Sequence, residues 1–326
     1  MTSSSAATSG ILQFGPLRRL GLWLNAMPHP TFVIEIASGH VAAAHWGKVR
    51  GNLESYAIEP LGIGSIAASP VEANVAKTDA VRSALRRVLT RAPLHGGPVA
   101  LLIPDPAVRV FILPLDNLPR RADEALPLLR WRLKKSVPFD VEETVVSWMR
   151  QNGRDGNAEV VTAVARQRIV REYEEIVEAV GASAGVILSS TLASLALLDE
   201  RGATLLVRVS GRTMTTVIVN GSSLAVYRST EMPVDSALFD PKVMLDEIYP
   251  AVAYYQDTWG GTVDRARLAG FGAREDVFRR ALVDELKIAA GPLADSVGAH
   301  QFAPNVKDLI RQDLDALVGW SMNAGI

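Results

Sequence analysis

Cysteine is absent from this 326-residue chain, which excludes disulfides, thiolate zinc sites and cysteine nucleophiles and fits a reducing compartment. No run of about 18 or more apolar residues could cross a bilayer as a helix. An excess of one charge is lacking too: 34 Lys and Arg against 35 Asp and Glu leave a formal net charge of -1. The chain therefore has no general field for nucleic acid or an acidic membrane, and any such contact must be local. The five histidines, His29, His40, His45, His95 and His300, show no metal-ligand spacing, and no metal site is expected. No Gly-x-Ser-x-Gly elbow or Gly-x-x-x-x-Gly-Lys-Ser/Thr loop supports a hydrolase or P-loop reading. Gly62-Ile63-Gly64 has no helix opening behind it and reads as a flexible loop. Met1 to Gly10 is Ser/Ala-rich without the basic and apolar regions of a signal peptide, so the cytosol is expected.

What is present is apolar material, 48% of residues, and a strong pattern. Residues 1–30 read as a peripheral leader, with a short amphipathic stretch at Phe14 to Met27 interrupted by Gly and Pro. Then Phe32–Ile36, Val41–Trp46 and Leu53–Ile58 alternate between turn residues as a three-stranded meander. Asp79–Arg91 follows as an amphipathic helix and Val99–Ile103 as a buried strand, stopped by Pro104-Asp105-Pro106. Residues 107–165 differ in character: strand Val108–Leu113, helix Asp123–Lys135, and strands Thr144–Met149 and Glu159–Ala165 about a polar loop form a small α+β insert. Helix Gln167–Val180, strand Val186–Leu188 and helix Thr191–Leu198 return to the first unit.

From residue 201 the opening order repeats. Strands Thr204–Val209, Thr213–Val219 and Leu224–Ser229 precede helix Pro241–Trp259, strand Ala266–Ala269, a Gly270-Phe271-Gly272 turn and helix Asp276–Leu286. Asn305–Ser321 reads as one closing amphipathic helix. The repeat is one of fold and not of sequence. It defines an α/β chain with units at 31–106 plus 166–200 and at 201–326, the second reduced, and the insert at 107–165.

Two halves that each open on a hairpin can face their first turns across a cleft. The first turn reads Glu35-Ile36-Ala37-Ser38-Gly39, the second Arg208-Val209-Ser210-Gly211-Arg212, and a late turn reads Gly270-Phe271-Gly272-Ala273. This plan resembles the actin-like ATPases, with duplicated ribonuclease H-like domains. In that family the first two turns carry Asp-x-Gly, whose Asp orients metal-bound water, and a Gly-Gly-x-Ala turn holds adenosine. Glu35, Ser38, Gly39, Arg208, Ser210, Gly211, Gly270 and Gly272 stand at the corresponding places of a degenerate ATP cleft. A guanidinium at position 208 competes with a metal, so an ion pair between Glu35 and Arg208 is expected to tie the halves. The resemblance then implies no enzyme activity and no cofactor beyond weak ATP.

The insert sharpens the resemblance. Leu129-Arg130-Trp131-Arg132-Leu133-Lys134-Lys135-Ser136-Val137-Pro138-Phe139 followed by Glu142-Glu143, with Leu102-Ile103-Pro104 before it and Ala163-Val164-Ala165 after it, resembles the PilM family of type IV pilus assembly. That family is a cytosolic scaffold binding the short N-terminal tail of the single-pass membrane protein PilN. The resemblance implies a PilN-like partner, no nucleic acid, a membrane reached only through partners, and Arg130, Trp131, Lys134 and Phe139 as tail-binding residues. Trp131 and Phe139 are otherwise expected to fill the insert core. The basic residues from Arg120 to Lys135 read first as a solvated face and second as a contact for an acidic tail or anionic lipid. Glu142 and Glu143, taken as strand neighbours, should point apart. Two alternatives stand beside the scaffold: an active ATPase regulating pilus assembly, and the cytosolic part of a type II secretion platform. That second family continues into a membrane span, which the sequence to Ile326 does not contain.

Overall fold

The computed structural model describes residues 29–47, 52–115, 117–199, 201–232, 240–297 and 304–323. The leader stretch at 14–27 and the segment at 233–239 lie outside them. Two five-stranded sheets carry the molecule. The first has β1 (Phe32–Ile36), β2 (His40–Trp46), β3 (Leu53–Pro60), β4 (Pro98–Ile103) and β8 (Ser183–Ser189) in the order β3-β2-β1-β4-β8. The insert supplies the intervening β5 (Arg109–Pro114), β6 (Thr144–Asn152) and β7 (Ala158–Arg166), paired as β5-β7-β6. The second large sheet has β9 (Ala203–Ser210), β10 (Thr213–Asn220), β11 (Ser223–Glu231), β12 (Arg265–Ala269) and β13 (Ala289–Pro292) in the order β11-β10-β9-β12-β13. Each sheet is an antiparallel meander whose first strand continues into parallel pairing. The repeat of order read from the sequence is thus a repeat of topology. Strand β13 escapes a periodicity reading because it is four residues long and ends in Gly-Pro.

Apolar residues occupy both faces of β1 and β9, as strands covered on two sides require. On the outer face of the first sheet lie helices α1 (Thr78–Arg91) and α3 (Gln167–Glu178), whose Val81, Leu85, Val88, Ile169 and Tyr173 are fully buried. On the outer face of the second lie α5 (Pro241–Trp259) and α6 (Glu275–Leu286). Between the sheets a third core joins Val33 and Leu102 to Leu206 and Val217 through α4 (Ser190–Ser194), α7 (Pro304–Arg311) and α8 (Asp315–Asn323). The insert helix α2 (Ala122–Leu133) packs Ala125, Leu129 and Leu133 on its own small sheet.

The chain end departs from expectation in two ways. Asn305–Ser321 is two helices and not one: Asp313 turns left-handed at φ 63°, Asp313 N–H donates to Ile310 O and Leu314 N–H to Leu309 O, which closes α7. The apolar pattern runs through this break because Leu309, Ile310, Leu314 and Leu317 all reach the same core. Helix α8, expected in the second half by its position in sequence, lies on α4, β1 and β2 of the first half. Trp320 anchors it there, donating from Nε1 to Pro30 O at 2.9 Å and stacking on His29 at 4.2 Å.

Candidate functional site

The two meanders place Glu35 and Arg208 at equivalent positions. Glu35 pairs with Ala42 of β2 and Leu102 of β4; Arg208 pairs with Thr215 of β10 and Ala269 of β12. Alternation puts Val33 and Glu35, like Leu206 and Arg208, on the inner face, so both charged groups enter the space between the sheets. Each is nearly fully buried. Arg208 Nη2 stands 3.4 Å from Glu35 Oε1, the contact expected from the sequence.

A closer partner was not expected. Arg208 Nε donates to Asp315 Oδ2 at 2.8 Å, from the start of α8, while Nη1 lies 3.9 Å from Asp105 Oδ2 behind β4. Three carboxylates therefore surround one guanidinium, and hydroxyls complete their hydrogen bonding. Ser190 Oγ donates to Glu35 at 2.6 Å and Ser194 Oγ to Asp315 at 2.5 Å. Asp105 accepts from Thr191 N–H at 2.9 Å and Oγ1 at 2.5 Å, from Thr215 Oγ1 at 2.9 Å and from Tyr227 Oη at 3.2 Å. Burial alone would lower the Arg208 pKa, but Asp315, Glu35 and Asp105 outweigh it and raise it. Burial pushes the Glu35 carboxyl up, yet His40, Arg208 and Ser190 hold it below the usual range. His40 Nε2 is 3.7 Å from Glu35 Oε2, too long for a hydrogen bond. Tyr227 is held neutral by burial and Asp105, so it serves as a donor.

Sequence reasoning missed Asp105 and Asp315. Asp105 stood out only as part of a Pro-Asp-Pro strand stop, and Asp315 only as a helix residue; nothing local signals that either is buried.

The two first turns face each other. A Cβ on Gly211 would stand 3.0 Å from Ser38 Cβ, so the turns touch, with Gly39 and Ser210 beside them. Gly39 is exposed at its tip and its carbonyl accepts from Leu61 N–H at 2.8 Å. Gly270 meets backbone instead of open space: a Cβ there would fall 1.8 Å from Val209 O, at φ 81°. Gly272 has nothing within 4 Å of such a Cβ.

The four insert residues divide. Arg130 is half-buried, bonded to Glu142 at 3.1 Å and to Thr144 O at 3.3 Å, and Phe139 is half-buried beneath the Arg166 guanidinium at 5.9 Å. Trp131, expected in the insert core, is 67% exposed, and Lys134 is exposed as well. The cause is position: Leu129 and Leu133 face inward, and Trp131, two residues from each, falls about 200° round the helix. Glu142 and Glu143 lie in a 3₁₀ turn before β6 and not on a strand; they still diverge, to Arg130 and Arg166. Among the described residues no group of His, Asp and Glu is arranged to hold a metal ion, and no helix is long and apolar enough to cross a membrane.

Duplicated sheets of this topology, meeting turn to turn with a small α+β insert in the first half, define the actin-like ATPase fold. No family model and no curated protein sequence matches the chain. Among solved structures the chain is similar to one described as a PilM–PilN type IV pilus biogenesis complex, at 16% identity and a TM-score of 0.73, over 92% of this chain and 100% of that one. Weaker likenesses are to the cytoplasmic domain of EpsL of the Vibrio cholerae type II secretion system, at 11% identity, 73% and 81% coverage and a TM-score of 0.45. Another is to the ethanolamine utilization protein EutJ from Carboxydothermus hydrogenoformans, at 9%, 94% and 98%, and 0.49.

Proposed function

We propose that this protein is a scaffold of a type IV pilus assembly platform that binds the cytosolic tail of a PilN-like partner, with weak or lost use of ATP. The observation that carries the second half is Arg208. It fills the place of the carboxylate that would organise a metal in this fold, and three acidic groups already neutralise it. The residues do not fit a magnesium nucleotide: the turns that would cradle phosphates touch at Ser38 and Gly211, and Gly270 is occupied by the β9 backbone. What supports the first half is the likeness over the whole length of a structure described as PilM–PilN, together with a retained insert.

On this reading the cleft is a fixed joint, and the tail binds between the first half and the insert near Arg130 and Phe139. Calorimetry with ATP should give weak or no binding, unchanged by Mg²⁺. Tight, Mg²⁺-dependent binding or steady hydrolysis by the natural protein would favour the active ATPase instead, and Arg208→Asp provides the comparison. A synthetic PilN-like tail should bind the wild type and lose at least about tenfold in affinity with Phe139→Ala. A wild-type protein that ignores every such tail would reject the scaffold reading.

A further inference from the structure

We propose that the end of helix α2 is a docking surface for an anionic phospholipid bilayer, formed by Trp131, Arg132, Lys134 and Lys135. Trp131 is 67% exposed although two apolar clusters in the insert lie on the other side of the same helix. A large ring left in water beside an available core calls for a contact outside the chain. The Arg132 guanidinium lies over that ring at 5.4 Å.

Three of the basic side chains around it are unspent. Arg121 and Arg130 are paired with Asp123 and Glu142. Arg132, Lys134 and Lys135, all exposed, make no ion pair among the described residues. Since the whole chain carries -1, this is a local field and not the edge of a basic protein. An indole body with a polar N–H, ringed by long basic side chains, suits the headgroup layer of a bilayer, where ring and cations are both satisfied. An acidic peptide would suit a groove, and a ring this exposed does not line one. Three cations and one ring give an association constant on the order of 10³ M⁻¹. Such a contact orients a protein already held at a membrane; it does not recruit one.

The test is co-sedimentation of the full chain with vesicles at millimolar lipid. Equimolar phosphatidylglycerol and phosphatidylcholine should bind it, pure phosphatidylcholine should not, and binding should fall with salt. Trp131→Ala should weaken binding about tenfold and Arg132→Gln/Lys135→Gln about thirtyfold, and with their sites exposed both should keep the wild-type circular dichroism. No binding to the anionic vesicles, equal binding to both, or variants that bind like wild type would overturn the proposal. So would binding of an acidic peptide lost in these variants without any vesicle binding. None of these outcomes depends on whether a PilN-like tail binds.

Discussion

Removing the Arg208 side chain would leave Glu35, Asp105 and Asp315 buried together without a counter-charge. A buried ion pair adds little over an apolar pair, but breaking one from a single side is costly. Arg208→Ala should therefore lower stability by about 3–5 kcal/mol in urea denaturation. Glu35 gives the cluster a pH signature. Its folded pKa is depressed below the usual 4.5, so its contribution is present above that value and is lost as pH falls through the folded value. Unfolding midpoints should drop below about pH 4.5, and Glu35→Gln should flatten that slope. Asp313 works in the opposite sense, since burial and Asp315 raise its pKa. At the late turn, Gly270→Ala should cost about 3 kcal/mol or more, because the new Cβ meets Val209 O and φ is positive. Gly272→Ala, also at positive φ but in open space, should cost only about 1 kcal/mol.

At the scale of the element, α8 holds Asp315 against Arg208 from a helix that packs on α4. The approach is close at Gly319, where a Cβ would stand 2.2 Å from Ala193 O. Gly319→Val should lift α8 and withdraw Asp315, with faster amide exchange along 315–323 and a loss of about 2–4 kcal/mol. A wild-type exchange pattern in that variant would show that α8 does not hold the cluster. The insert's elements were legible because each obeys one period. The turn between α7 and α8 was not, since the apolar pattern continues through a left-handed Asp313.

Over the whole molecule, the apolar core between the sheets joins the halves, and polar ties reinforce it. The Arg208 cluster is one such tie. The insert makes another, where the Gln151 amide imitates a strand partner: Nε2 donates to Leu224 O at 2.8 Å and Oε1 accepts from Leu224 N–H at 2.9 Å. Ser223 Oγ donates to Asn152 O at 2.7 Å beside it. Gln151→Ala leaves two buried backbone groups of β11 without these partners and should cost about 1–3 kcal/mol, read as a lower urea midpoint with faster exchange at Leu224. If the cluster and the insert hold one joint, this variant and Arg208→Ala should couple in a double-mutant cycle, whereas independent ties would add.

The sequence by itself determined the repeated order of strands and helices, and through its resemblance to a known plan it led to the expected contact between Glu35 and Arg208. Alternation and turn chemistry are local, and they fix which way a side chain points. What that side chain meets was decided by tertiary structure. Asp315 reaches Arg208 across 107 residues and Asp105 reaches Thr215 across 110, while Trp131 stays outside because the inner face of its helix was already filled by Leu129 and Leu133. A period reports a face, and only the packed chain supplies the neighbour.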